Sequence, residues 1–325
     1  CLQPLRPQYG AADSQSPRAS VAGSGRVRAF FEDHENNFWV GTQTGLYLFN
    51  PETGAFFRYA YTDHPFSSLS HNSIQCAMID STNVLWLGTF GGGVSYTSLT
   101  TSGITRYEYS NLKSPYFLND KSVYCFLGDP SGTIWIGTEQ GGLNRLDRET
   151  GLFSYYVPVP GDPDRLQSGN IKDLVADRNN NLWIATNQGG LSYLNTGTGK
   201  FTTYLNDPED PNSIPSNNIY DLYRDENDNL WICTLKGMCL KTPSGKGFIQ
   251  LPIDKTNLEN VKNLESFGYV EILTPDTKGR LWGAGPGIPG ILKIDPGTRS
   301  MTVIQRLDSL VVPAFSELHC DAKGF

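Results

Sequence analysis

Long apolar runs are missing from the 325 residues: none approaches the roughly 18 needed for a helix to cross a bilayer, and neither an initiating Met nor a signal-peptide pattern opens the chain. The sequence is therefore read as a mature form or a piece of a longer one. Metal-site spacing is missing as well. The six cysteines, Cys1, Cys76, Cys125, Cys233, Cys239 and Cys320, include no CxxC pair and no Cys/His cluster, so no metal and no cofactor is expected. Histidine is scarce and scattered, with His34 in a turn, His64 and His71 in one loop and His319 near the end, and no acid–base pair stands out. Positive charge is in deficit. A net charge of -7 disfavours nucleic acid, or a strongly acidic polysaccharide held by bulk electrostatics, relative to a neutral ligand.

Helix formers are also sparse, whereas 34 Gly, 20 Pro, 6 Trp, 16 Tyr and 16 Phe form short apolar runs broken by Asn, Asp, Gly and Ser clusters. That texture predicts an all-β chain. The stretch TIWIGTEQGGLNRLD (133–147) has the outline of a phosphate loop after a strand. It lacks the Lys-Ser/Thr pair and the following helix that such a loop requires. Its LNRLD alternates apolar and polar residues, so the stretch reads as strand, glycine turn, strand.

Self-comparison turns that stretch into one copy of a unit. Trp39, Trp86, Trp135, Trp183, Trp231 and Trp282 are separated by 47, 49, 48, 48 and 51 residues, and no tryptophan lies outside the series. Six positions before each stands Asp33, Asp80, Asp129, Asp177, Asp225 or Asp276. After the first five come Thr42, Thr89, Thr138, Thr186 and Thr234, then the glycines Gly45, Gly92, Gly141, Gly189 and Gly237. Each unit accommodates four short strands and their turns, the size of a propeller blade and far longer than a β-helix coil.

The expected fold is therefore a single β-propeller domain, 1–325, of four-stranded antiparallel blades. Six are complete, at 27–72, 73–121, 122–169, 170–217, 218–267 and 268–314. Parts of a seventh, in a seven-bladed architecture, are expected from an outer strand and linker in 1–26 and an inner strand in 315–325. Within a blade the tryptophan reads as the anchor between neighbouring blades. The aspartates read as turn formers rather than catalytic or calcium-binding groups, since a residue repeated in every blade is scaffold first. Cys233 and Cys239 flank a short turn and come within disulfide reach only if both side chains share a face; burial as free thiols is the favoured reading.

The unit VxxxxxDxxxxLWIGTxxGGL, followed by TGxFxxY and linkers such as SLSHN (68–72) and NSIPSN (212–217), resembles the two-component regulator propeller repeat. The resemblance implies the periplasmic sensor region of a hybrid two-component system of the kind typical of gut Bacteroidetes, detecting oligosaccharides released from glycans. It also implies an immunoglobulin-like domain, a membrane helix, a histidine kinase and a response regulator downstream. Membrane attachment would come only through those segments, and the ectodomain is expected to act as a homodimer. The sixth unit departs from the pattern, with GAGPGIPGI (283–291) in place of the threonine and the short glycine turn.

In a four-stranded meander, the turns after the first and third strands share one end, and those after the second and fourth share the other. The second end carries the glycine turns and the long linkers 61–72, 109–121, 157–170, 205–218 and 251–267, so the ligand is expected there. Sugars are held by aromatic faces and by planar amide, carboxylate or guanidinium groups. The candidates on that end are Phe90, Tyr116, Phe117, Glu139, Gln140, Arg165, Asn187, Gln188 and Lys236. Two rivals stand beside a sensor: a propeller lyase or hydrolase, for which His71 with a linker carboxylate is the only visible start, and a non-catalytic scaffold for protein interaction or dimerisation.

Overall fold

The computed structural model describes residues 27–33, 37–50, 55–62, 68–99, 104–112, 114–251, 269–286, 288 and 290–306. The chain divides into two compact units, Cys1–Tyr156 and Val157–Phe325. Unit 1 contains three sheets: β1 (Val27–Glu32) to β4 (Ala55–Tyr59), with β2 at Phe38–Thr42 and β3 at Gly45–Asn50; β5 (Ile74–Ile79), β6 (Val84–Thr89), β7 (Val94–Ser98) and β8 (Thr105–Tyr107); and β9 (Val123–Gly128), β10 (Ile134–Thr138), β11 (Leu143–Asp147) and β12 (Leu152–Tyr156). Unit 2 repeats the plan. Its sheets are β13 (Ile171–Ala176), β14 (Leu182–Thr186), β15 (Leu191–Asn195) and β16 (Lys200–Tyr204); β17 (Ile219–Arg224), β18 (Leu230–Thr234), β19 (Gly237–Lys241) and β20 (Ile249–Leu251); and β21 (Ile272–Pro275), β22 (Leu281–Ala284), β23 (Gly290–Asp295) and β24 (Ser300–Arg306).

All six sheets are antiparallel meanders in chain order. The six complete blades expected from the repeat are thus present, whereas a seventh is not shown: the segments expected to supply it, near 5–9 and 315–321, lie outside the described residues.

The core of each unit is the space between consecutive sheets. In unit 1, Ala29, Trp39 and Leu46 of the first sheet meet Ile74, Leu85 and Leu87 of the second, and Trp86 and Val94 of the second meet Val123, Ile134 and Ile136 of the third. In unit 2, Ala185 and Leu191 pack with Ile219, Leu222 and Ile232, and Trp231, Met238 and Leu240 with Leu273, Leu281 and Leu292. The second strand of a sheet is covered on both faces, which is why IWIGT and LWICT are apolar up to their last residue and buried throughout. In the third strand LNRLD, Arg145 and Asp147 are exposed whereas Leu143, Asn144 and Leu146 are buried. Each fully buried Leu or Ile contributes about 1.5–3 kcal/mol.

The six-residue spacing of Asp and Trp has a direct cause. One carboxylate oxygen accepts turn N–H groups two and four residues on, as Asp80 Oδ1 does from Thr82 and Val84. The other accepts the indole N–H. Trp39 donates to Asp33 at 2.9 Å, Trp86 to Asp80 at 2.7 Å, Trp135 to Asp129 at 3.3 Å, Trp231 to Asp225 at 2.9 Å and Trp282 to Asp276 at 3.0 Å. The fourth sheet differs, because there the Tyr193 hydroxyl donates to Asp177 Oδ2 at 2.7 Å.

Cys233 and Cys239 are free thiols, as are Cys76 and Cys125. In the β18–β19 ladder Cys233 faces Met238 and Cys239 faces Ile232. The two cysteines therefore point to opposite faces of the sheet, one into each neighbouring core, and burial raises the pKa of both. Cys1 and Cys320 lie outside the described residues.

Candidate functional site

The loops after the second and fourth strands form one end of each unit, and repeated hydrogen bonds fix them. The buried threonine at the end of the second strand in five of the six sheets closes its turn by donating to a glycine carbonyl: Thr42 to Gly45 at 3.0 Å, Thr89 to Gly93 at 2.9 Å, Thr138 to Gly142 at 2.8 Å, Thr186 to Gly190 at 2.7 Å and Thr234 to Gly237 at 2.7 Å. Paired glycines divide the remaining work. Gly93, Gly142 and Gly190 have φ of 76°, 75° and 72°, a left-handed backbone that L side chains resist. Their predecessors are needed for close approach instead: a Cβ on Gly141 would lie 2.3 Å from Asn119 Oδ1, and one on Gly189 2.5 Å from Ser168 Cβ. The sequence reading credits the turn to Gly92, Gly141 and Gly189; the left-handed positions are one residue later.

The residue just before a first strand joins two turn tips. In unit 1, Phe90 bridges Ser122, whose carbonyl also accepts the Glu139 N–H at 3.0 Å. In unit 2, Asn218 Oδ1 accepts the Gln188 N–H at 2.9 Å and its carbonyl accepts the Leu235 N–H at 3.0 Å. Phe90 and Glu139 are thereby brought together in unit 1, and Gln188 and the 235–236 pair in unit 2.

The other candidates vary in freedom. Gln140 is exposed, and its N–H and that of Gly141 both donate to Asp120 Oδ2, at 2.6 and 2.9 Å. Tyr116 is 66 % exposed, whereas Phe117 is half-buried and its carbonyl accepts the Tyr155 hydroxyl. The Asn187 carbonyl accepts the Ser168 hydroxyl at 2.7 Å. Lys236 is exposed on its turn. Arg165 pairs with Asp162 at 3.7 Å, within its own loop, and is not drawn to the other candidates.

A feature the sequence does not announce re-aims one side chain per first strand. In five of the six sheets the register slips by one residue near the start of that strand. The inserted residues are Arg28, Gln75, Tyr124, Lys172 and Tyr220, all half-buried, and such bulges commonly redirect a side chain beside a site. Tyr124 shows the effect: its hydroxyl donates to Glu139 Oε1 at 3.0 Å and so orients that carboxylate. Burial foremost, then Glu139, pushes the Tyr124 phenol up to about 12, so it acts as a donor at neutral pH. Tyr220 stacks on Tyr269 with centroids 4.5 Å apart.

Among the described residues, no three of His, Cys, Asp and Glu are gathered as metal ligands. His71 Nδ1 accepts the Ser73 N–H at 3.0 Å, a contact within its own turn. His34, His64 and His319 lie outside the described residues.

The two component regulator propeller family matches this sequence five times, at residues 22–44, 68–91, 118–140, 165–188 and 213–236. The chain carries two-component regulator propeller repeats. Each match ends at a glycine turn, so the repeat covers the linker, the first two strands and the turn tip.

Among solved structures, the repeat array is similar to the extracellular domain of BT3049 from B. thetaiotaomicron, assigned to the hybrid two component systems, with 21% identity and a TM-score of 0.73 over 93% of this chain and 38% of that one. Virginiamycin B lyase from Staphylococcus aureus with quinupristin is also similar, at 15% identity and a TM-score of 0.63 over 88% and 86%. So is PorZ, a surface component of the type-IX secretion system of Porphyromonas gingivalis, at 19% and 0.52 over 86% and 44%. At these identities the likeness is one of fold. The chain spans 38% of the length of the BT3049 domain. No curated protein matches the sequence.

Proposed function

We propose that this chain is the ligand-sensing portion of a two-component signalling receptor, held on the periplasmic side of the membrane, and that the turn end of unit 1 binds a glycan-derived oligosaccharide. The family repeats and the fold shared with a receptor's extracellular domain support the sensor role. One observation carries the position of the site. Every exposed large apolar side chain described in unit 1, namely Tyr61, Phe90, Tyr109, Leu112 and Tyr116, lies on a loop of the turn end, and four of the five are aromatic.

Among the described residues of unit 2, the same end exposes Val157, Val159, Leu205 and Leu235, with no ring among them. Aliphatic side chains offer no flat face to a pyranose, whereas a Phe or Tyr ring does. Beside the rings of unit 1 stand Glu139, held by Tyr124, and the exposed amide of Gln140, which can bridge sugar hydroxyls.

The test is calorimetric titration with xylo-, manno-, galacto-, malto- and galacturono-oligosaccharides, paired with a transcriptional reporter driven by the full-length receptor. Stacked rings contribute about 0.5–1.5 kcal/mol each, so replacing Phe90 and Tyr116 by Ala together lowers affinity about fivefold to a hundredfold. Leu235→Ser in unit 2 leaves it unchanged. Undiminished affinity after replacing Phe90, Tyr109 and Tyr116 would refute the placement. A reporter silent to the whole panel, with no heat of binding, would refute oligosaccharide sensing.

A further inference from the structure

The first strands of unit 2 are joined by more than apolar packing. Asp173 in β13 and Asp221 in β17 occupy equivalent places, opposite Ala185 and Cys233 on the second strands. The same places in unit 1 hold Ala29, Cys76 and Cys125. A first strand is the edge of its sheet, with N–H groups that no ladder uses. Here the neighbouring sheet satisfies two of them: Asp173 Oδ2 accepts the Leu222 N–H of β17 at 2.9 Å, and Asp221 Oδ2 accepts the Leu273 N–H of β21 at 2.5 Å. The two carboxyl groups also hydrogen-bond each other. Ionised carboxylates are acceptors only, so this contact requires a hydrogen on one of them.

We propose that Asp173, Asp221 and the Leu222 and Leu273 amides form a proton-dependent clamp across three successive blades, closed while the carboxyl pair shares one proton and strained once that proton leaves.

The proton resides on Asp221, which donates to the Asp173 carboxylate. The side chains and backbone packed beside the pair are uncharged groups. From β14 comes Ala185, from β21 the Leu273 backbone, and from β18 Cys233, with Cys239 of β19 behind it. The ionisable groups that act on the pair are each other's carboxyl and the Cys233 thiol. Both aspartates keep some accessible surface, so solvent protons reach them, yet protein encloses them closely. Burial is the largest cause in lifting Asp173 to about 6; it lifts Asp221 well above the usual carboxylate range, and the Asp173 charge adds to that. A folded-state pKa above the unfolded one means that stability falls as pH rises: the first proton leaves Asp173 near 6, which yields the one-proton pair, and the clamp strains only above that, as Asp221 ionises.

Two measurements on the chain as it stands test this without any sugar. Hydrogen exchange of peptides spanning 219–224 and 270–275, corrected for the intrinsic pH dependence of exchange, is expected to lose at least about tenfold protection as pH is raised from about 6, where the pair keeps a proton, to about 9. In Asp221→Asn, which keeps an N–H donor toward Asp173, protection stays constant. Carboxyl 13C NMR of Asp-labelled protein is expected to show titration midpoints above about 5 that Asp173→Asn and Asp221→Asn remove. Protection independent of pH in the unmodified chain would overturn the clamp. So would the absence of any Asp carboxyl titrating above that value, whether or not either variant folds.

Discussion

Replacing Asp80 by Ala removes the acceptor for five donors: the Thr82 N–H at 2.8 Å, the Thr82 hydroxyl at 2.7 Å, the Val84 N–H at 3.2 Å, the Trp86 indole at 2.7 Å and the Arg148 guanidinium at 2.8 Å. The donors do not lose equally. Trp86 is 1% exposed, so water cannot replace the carboxylate, and a stranded indole N–H costs about 1–3 kcal/mol. The turn amides and the Thr82 hydroxyl rehydrate at roughly half a kcal/mol each. Arg148, with 27% of its side chain exposed, forfeits about 1 kcal/mol. The sum is about 3.5–5.5 kcal/mol, measured by guanidinium unfolding followed by far-UV circular dichroism. Trp86→Phe deletes the orphaned donor while keeping the ring, so the Asp80→Ala/Trp86→Phe double variant should recover about 1–2 kcal/mol relative to the sum of the singles. Asp177→Ala is the internal comparison: its partner is the half-buried Tyr193, whose hydroxyl can turn to solvent, and the loss falls to about 1–2 kcal/mol. Strict additivity of the Asp80 and Trp86 changes, or equal losses at Asp80 and Asp177, would refute the account of the six-residue spacing.

Two further outcomes follow from the turns. Gly190→Ala, at φ 72° with a Cβ that would sit 2.3 Å from the Tyr204 carbonyl, should cost about 3 kcal/mol or more. Gly151→Ala, at φ 70° in open space, should cost only about 1–2 kcal/mol; equal losses by urea unfolding would show that close approach is irrelevant. The acid limb of stability depends on aspartates of the opposite kind to the Asp173–Asp221 pair. Burial pushes Asp276 up, but bonds from Trp282, Arg280 and Lys278 outweigh it and hold the group at about 2. Its stabilisation is therefore present above 3.8 and lost as pH falls toward 2. Thermal melts of Asp276→Asn should lack that part of the acid decline, and an unchanged limb would contradict the assignment.

Much of the scaffold could be read before any coordinates because repetition removes ambiguity. One strand–turn–strand such as 133–147 admits a phosphate-loop reading, but six copies at near-constant spacing do not. The reasons behind individual letters were less accessible. Sequence offers an adequate local excuse for every turn aspartate, since Asp caps its own turn amides, and that excuse conceals the indole bond to the tryptophan six residues on. It also cannot show that Cys233 and Cys239 diverge, because a one-residue difference in ladder register decides which face each side chain takes.

The site was less legible, for a physical reason that bears on how the two units divide their work. The turn-tip residues announce themselves by varying where everything around them repeats, and the structure joins some of them through Ser122 and Asn218. The side chains that a ligand would meet next, such as Tyr124, sit inside apolar first strands and are turned aside by a bulge that has no sequence signature of its own. Exposure then breaks the symmetry that the repeat imposes. Among the described residues, the rings standing in solvent belong to the loops of unit 1, while the carboxyl pair that breaks the apolar pattern of the first strands belongs to unit 2. A repeat protein whose blades share one scaffold can specialise only at positions the scaffold leaves free, and the two kinds of free position, the loop tip and the edge of the first strand, have been used differently in the two units. Recognition and proton response are accordingly separable by mutation: Phe90→Ala should leave the pH dependence of exchange at 219–224 untouched, and Asp221→Asn should leave oligosaccharide affinity untouched at pH 5. A variant of either kind that moved both would mean that the units act as one device.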